Sequence, residues 1–174
     1  DKQIVKENPD GLEGRIGLSL SYRGVGESLN GQKEYAKAAT SFSEAIKIQE
    51  QIMASDPKNA FVADNLLESY AGAGVSYREM SNFDSAESYF ARVFEIEKNL
   101  KHARTDFLRR LIIAKAHLEY AEMLLKNRGS GNTAAAKKEL QTALDVFEDV
   151  KSARPIDPAM VEPYERIKTL LASL

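Results

Sequence analysis

The chain has 174 residues, 43% of them hydrophobic and 29% charged, with a formal net charge of −2. That length is enough for one domain with a real core, and the charge offers no field that would gather nucleic acid or an anionic membrane. There is no cysteine, which excludes disulfides and thiolate chemistry, and no apolar run has the length of a membrane span or the form of a signal peptide.

The chain opens at Asp1 rather than Met, so it is expected to be a mature fragment or an excised domain. Its setting is expected to be soluble, cytoplasmic or periplasmic according to the parent protein.

The first unit is expected over about 9–56. It carries Ser21-Tyr22-Arg23-Gly24-Val25-Gly26-Glu27-Ser28-Leu29, a helical pattern, then the turn residues Asn30-Gly31-Gln32. A second helix follows, with Ala38, Phe42, Ala45, Ile48 and Ile52 recurring at steps of four and three along one stripe.

The second unit, about 57–104, repeats the first at a displacement of 48. Asn8-Pro9 returns as Asp56-Pro57, and Ser21 to Leu29 returns as Ser69-Tyr70-Ala71-Gly72-Ala73-Gly74-Val75-Ser76-Tyr77. Asp56 and Pro57 suit a helix start, because Asp caps and Pro needs no partner for a missing N–H in the first turn. After a break at Ser81-Asn82, Ala86, Phe90, Val93 and Leu100 form the matching stripe. Self-similarity at a period of 20–50 residues marks a stacked repeat architecture.

The third unit, about 105–154, is looser. Its first helix is expected from about Thr105 to Asn127, with His117, Tyr120, Ala121 and Leu124 in the packing positions. The longer break Arg128-Gly129-Ser130-Gly131-Asn132 leads to a helix with Ala136, Leu140, Ala143, Phe147 and Val150 on one face. Beyond Arg154-Pro155-Ile156-Asp157-Pro158, residues 158–174 give a single amphipathic helix with Ile167, Leu170, Leu171 and Leu174 on its apolar face. A stacked array needs such a cover at its end. Pro163 is expected to delay the regular part of that helix.

These residues resemble the tetratricopeptide repeat. That family has a large residue, a small residue and an aromatic on the first helix of each unit, followed by Ala, an aromatic and a second small residue on the next. Tyr22, Val25, Gly26, Leu29, Ala38, Phe42 and Ala45 supply the first set, Tyr70, Ala73, Gly74, Tyr77, Ala86, Phe90 and Val93 the second, and His117, Ala121, Leu124, Ala136, Leu140 and Ala143 a degenerate third. The resemblance implies an all-α, right-handed superhelix of three helical hairpins plus a C-terminal capping helix, over a single domain of residues 1–174. A unit of 48 against the usual 34 or so implies helices longer by roughly two turns each. This long form is similar to the repeats of certain bacterial serine/threonine protein kinases.

The resemblance also implies function: a non-catalytic protein–protein interaction module, with a concave groove lined by the first helices. Carried over by register, the groove residues are Arg23, Glu27 and Asn30, then Glu68, Ala71, Val75, Arg78 and Glu79, then Lys115, Leu118, Glu122 and Leu125. The form of the family that holds a terminal carboxylate uses a cluster of Lys, Asn and Arg. Glu27 and Val75 stand where that cluster has Asn, so a groove of mixed character suits an amphipathic helix or extended segment instead. The expected partner is a protein or peptide. Nucleic acid and direct membrane insertion are not expected. The alternatives are self-association as a homodimer through an exposed end face, and a sensor of a small ligand or peptide.

Catalytic, cofactor and metal sites are not expected. Gly24-Val25-Gly26 and Gly72-Ala73-Gly74 lack the preceding strand of a phosphate loop and read as close helix packing, with no packing role evident for Gly24 or Gly72. Residues 128–132 lack the Gly-Lys-Ser/Thr ending of a phosphate loop. His102 and His117 show no ligand spacing, and His117 is expected to be packed. The pairs Glu95 with Glu97 and Glu148 with Asp149 are expected on solvated helix faces, as is the basic run Lys98, Lys101, Arg104, Arg109, Arg110 and Lys115.

Overall fold

The computed structural model describes residues 11–99, 107–127, 131–155 and 158–174. Among these are seven helices and no strand: α1 (Leu12–Gly31), α2 (Tyr35–Ser55), α3 (Ala60–Glu79), α4 (Phe83–Asn99), α5 (Phe107–Lys126), α6 (Asn132–Ala153) and α7 (Pro158–Ser173). The fold is all-α, as the sequence implies, and α1 to α3 are antiparallel helices joined by short turns. It divides into two compact units, Asp1–Asn82 with α1 to α3 and Phe83–Leu174 with α4 to α7.

The repeat is reproduced bond for bond where helices end. After α1, Gln32 N donates to Ser28 O at 3.0 Å, Lys33 N to Asn30 O at 3.0 Å and Glu34 N to Leu29 O at 2.9 Å. After α3, Met80 N donates to Ser76 O at 3.2 Å, Ser81 N to Arg78 O at 2.9 Å and Asn82 N to Tyr77 O at 2.9 Å. Both sets consume the orphan carbonyls of a helix C-terminus through a residue in the left-handed region, Lys33 at φ 64° and Ser81 at φ 59°.

Two sequence expectations about helix starts are corrected. The cap of α3 is Asn59, whose side chain accepts from Val62 N at 3.1 Å. Asp56 instead ends α2, and its carboxylate receives Lys58 N and Asn59 Nδ2, so Asp56-Pro57 builds the turn before the helix. Pro163 does not delay α7, which begins at Pro158 and carries Pro163, buried, within it.

In the first unit α2 packs against both α1 and α3, and α1 also touches α3. Phe42 of α2 is 1% exposed. A methyl placed on Gly26 of α1 would lie 3.0 Å from its ring, and one on Gly72 of α3 would lie 2.5 Å from Cε1. The ring therefore sits in a slot made by the missing side chains of two helices. Gly72, which the sequence left without a packing role, is one wall of that slot. The α2 stripe is also corrected by one position. Gln49 is fully buried and Ile48 only half-buried, because 3.6 residues per turn carry the stripe from Phe42 through Ala45 to Gln49 and Ile52.

In the second unit α6 turns Ala136, Leu140, Ala143, Phe147 and Val150 inward, the stripe expected from spacing. In α4, Ala86, Phe90 and Val93 are fully buried, and Leu100 lies outside the described residues. Helix α5 buries Leu111 to Ala114, Ala116 to Leu118, Ala121, Met123 and Leu124, more than one face of the helix. Helix α7 rests on α6 and touches α5, inserting Tyr164 and Ile167. No described helix is long and apolar enough to cross a membrane.

Candidate functional site

In the first unit, the expected groove positions of α1 and α3 come together. Arg23 Nη1 lies 2.5 Å from Glu27 Oε1 on its own helix and 2.7 Å from Glu68 Oε2 on α3. A turn further on, Asn30 Nδ2 donates to Gly72 O at 3.2 Å and Asn30 Oδ1 accepts from Ser76 Oγ at 2.8 Å. These contacts fix the two helices side by side. Glu27 is exposed, and Ala71, Val75 and Glu79 are half-buried. Arg78 is 8% exposed, with Nε 3.0 Å from Glu79, so it belongs to the structure more than to an open surface. Arg23 Nε is buried and meets no acceptor, an unspent donor in the middle of this face.

The second unit treats its positions differently. Lys115 is exposed and Leu125 half-buried. Glu122 Oε1 lies 2.5 Å from Arg166 Nε of α7. Leu118 departs from the expected exposed position: it is 2% exposed, on the side of α5 that α7 approaches through the Glu122–Arg166 pair. Arg166, on the polar side of α7, is a partner that sequence reasoning missed.

A second polar cluster occupies the second unit. His117 stacks on Phe94, with ring centroids 4.4 Å apart and an interplanar angle of 17°. Its Nδ1 lies 2.6 Å from Glu139 of α6 and its Nε2 3.3 Å from Glu97 of α4. Burial works against the imidazolium, but hydrogen bonds and charge from Glu139 and Glu97 outweigh it and raise the pKa to about 9. His117 is packed, as its register implies, and it is packed as a cation. Glu97 is correspondingly not on a solvated face, and Glu148 receives the Tyr164 hydroxyl. Tyr120 donates to Glu87 at 3.2 Å. Burial and then the Glu87 charge hold its proton up to about 12.

A third structural detail is shared by both units. The polar aromatic of a first helix bonds a glutamate of the helix before it: Tyr70 to Glu50, His117 to Glu97, Tyr164 to Glu148. The neighbouring sequence gave no direct sign of these pairs, although Glu97 and His117 stand 47 residues after Glu50 and Tyr70.

Within the basic run, Arg110 pairs with Asp149 at 2.5 Å, and Lys98 and Lys115 are exposed. Lys101, Arg104 and His102 lie outside the described residues, as does most of the 128–132 break. Gly24-Val25-Gly26 and Gly72-Ala73-Gly74 lie inside helices, and their N–H groups are engaged along the helix rather than gathered into a phosphate cradle. Among the described residues no group of three or more His, Asp or Glu is placed to hold a metal ion. His117 illustrates the reason, since its two nitrogens face separate carboxylates.

A model of the tetratricopeptide repeat family matches residues 67–100, which run from α3 into α4. No curated protein and no solved structure gives a match. Repeats of this family generally mediate protein–protein interaction.

Proposed function

We propose that the chain is a non-catalytic module that binds a protein or peptide segment along its first helices. In the first unit the binding face is Arg23, Glu27, Glu68, Ala71 and Val75. In the second it is Lys115, Glu122 and Leu125. One observation carries the reading: Arg23 of α1 holds Glu27 and, across on α3, Glu68, and this charged cluster shares a preformed face with half-buried Ala71 and Val75. Ala71 and Val75 beside it offer apolar contact, and Glu27 and Glu68 select for positive charge in the bound segment. The preformed placing of α1 against α3 lowers the ordering cost of binding.

We further propose that the module is the regulatory or scaffolding portion of a larger bacterial signalling protein such as a serine/threonine kinase. This rests on the resemblance of its long repeats to those of such kinases.

The test is selection of a random peptide library on the purified chain, followed by calorimetry of the recovered peptides against wild type and a Glu27→Lys/Val75→Asp double variant. Affinity is expected to drop at least tenfold, with helicity and melting unchanged. Equal affinity in the folded variant would remove this face from the proposal.

A further inference from the structure

The front of α3 lies against α2, with Asn30 of α1 meeting it at Gly72 and Ser76. Its Leu66, Ser69, Ala73 and Ser76 are at most 6% exposed, its Gly72 receives the Phe42 ring, and its Tyr70 bonds Glu50. The residues 48 earlier, on α1, repeat the chemistry almost unchanged as Leu18, Ser21, Val25, Ser28, Gly24 and Tyr22. At 100° per residue they form one face of α1, with Gly24 and Tyr22 at its two rims. It lies away from α2 and away from the Arg23–Asn30 edge.

This face is open. Leu18 and Val25 are each 50% exposed, Ser21 and Ser28 are exposed, and no atom lies within 4 Å of a methyl built on Gly24. Tyr22 has no glutamate of a described helix before it, the partner that Tyr70, His117 and Tyr164 each have. Two features thus share this face: a glycine whose counterpart in α3 takes an aromatic ring, and a tyrosine whose counterpart takes a carboxylate.

We propose that this face of α1 docks an amphipathic partner helix that carries an aromatic residue and, about two turns later, a carboxylate. The ring seats over Gly24, the carboxylate receives the Tyr22 hydroxyl, and Leu18 and Val25 fill the contact between. The occupant is defined by what covers the same face one repeat later: Phe42 and Glu50 of α2 present this combination to α3. A second copy of this chain is a poorer occupant, because the helix with that chemistry, α2, has Phe42 buried in its own core. The face is separate from the proposed groove, so either can fail without the other.

The probe is a synthetic peptide of residues 35–55, titrated into the full-length 15N-labelled chain. Shift changes are expected at the amides of Leu18, Ser21, Val25 and their neighbours. Affinity is expected to fall at least tenfold when Phe42 of the peptide is replaced by Ala, at least tenfold in the Gly24→Leu chain, and several-fold in Tyr22→Phe. Gly24 is exposed, so Gly24→Leu keeps the fold, which circular dichroism checks. As a second measurement, the same peptide sequence fused upstream of Leu12 through a flexible linker should raise the melting temperature in wild type and not in Gly24→Leu. Overturning results are shifts confined to α3, equal affinity for Gly24→Leu, no binding in either format, or a concentration-dependent dimer that Gly24→Leu abolishes while peptide binding is unaffected.

Discussion

Helices α1 and α3 share a register, yet Leu18 and Val25 are half exposed where Leu66 and Ala73 are buried. The difference comes from what stands in front of each helix. α3 lies against α2, and its glycine and tyrosine are engaged by Phe42 and Glu50, whereas α1 has no described helix in that place. Equivalent residues therefore carry different energies, and a repeat position cannot be assigned a fixed contribution apart from its neighbours. The contrast also separates two kinds of glycine. Gly26 and Gly72 are required by a ring, and Gly24 is required by nothing that the described residues supply.

The largest test removes the ring. Phe42→Ala should cost about 3–5 kcal/mol, toward the upper end, since glycines on two sides leave no side chain that could collapse into the cavity. Urea denaturation measures it. A loss below about 1 kcal/mol would mean the slot between α1 and α3 does not hold the first unit together.

The glycine pair sharpens the comparison directly. Gly72→Ala drives a methyl into a fully buried ring, so overpacking of about 1–3 kcal/mol is expected, reduced in part by better helix propensity. Gly24→Ala meets open space and should gain about 1 kcal/mol from propensity alone. Opposite signs at residues 48 apart are the prediction, read from urea midpoints of the two single variants. The same sign in both would erase the distinction drawn between the two helices.

His117 and Tyr70 extend the comparison to the second unit, because both bond a glutamate of the helix before them, one as a cation and one as a neutral phenol. In the unfolded chain His117 titrates near 6.5, and in the fold at about 9. The stabilisation it brings is whole below pH 6.5 and is lost as pH rises through 9, on the order of 3 kcal/mol at most. Denaturation at pH 6, 7.5 and 9.5 should show that decline in wild type. His117→Tyr, which installs the residue found at Tyr70 and Tyr164, should flatten it. An unchanged slope in that variant would mean that the imidazolium held by Glu97 and Glu139 is not its source.

The helices and the apolar stripes were legible in the sequence because period and turn chemistry act locally. Ala136, Leu140, Ala143, Phe147 and Val150 could be placed by spacing alone. Residues whose role depends on another helix were not legible. Gly72 needs a ring 30 residues earlier, Leu118 is covered on the side that α7 reaches, and Glu97 is drawn from a solvated face by His117. Gln49 is the sharpest case. It is fully buried with neither amide atom paired, a costly state that no apolar pattern announces. Of the candidate face, spacing puts Arg23, Glu27 and Asn30 on one helix, but the contacts of Arg23 with Glu68 and of Asn30 with Gly72 and Ser76 arise only when α3 is set beside α1.

The smallest effect serves as the control for the rest. Lys33 and Ser81 close the same turn with the same three hydrogen bonds, and both hold a positive φ. A side chain in that region costs about 1–2 kcal/mol relative to the right-handed one, and glycine escapes the strain at the expense of a freer unfolded chain. Lys33→Gly and Ser81→Gly should therefore each stabilise by up to about 1 kcal/mol, and by nearly the same amount, as judged from matched urea midpoints. Equality is the informative part: the turn is determined by its own backbone bonds, whereas Gly24 and Gly72 are set apart by a neighbouring helix. If the two turn variants diverged as widely as the glycine variants, the α1–α3 contrast could no longer be assigned to α2 alone, because the repeats would already differ where their local structure is the same.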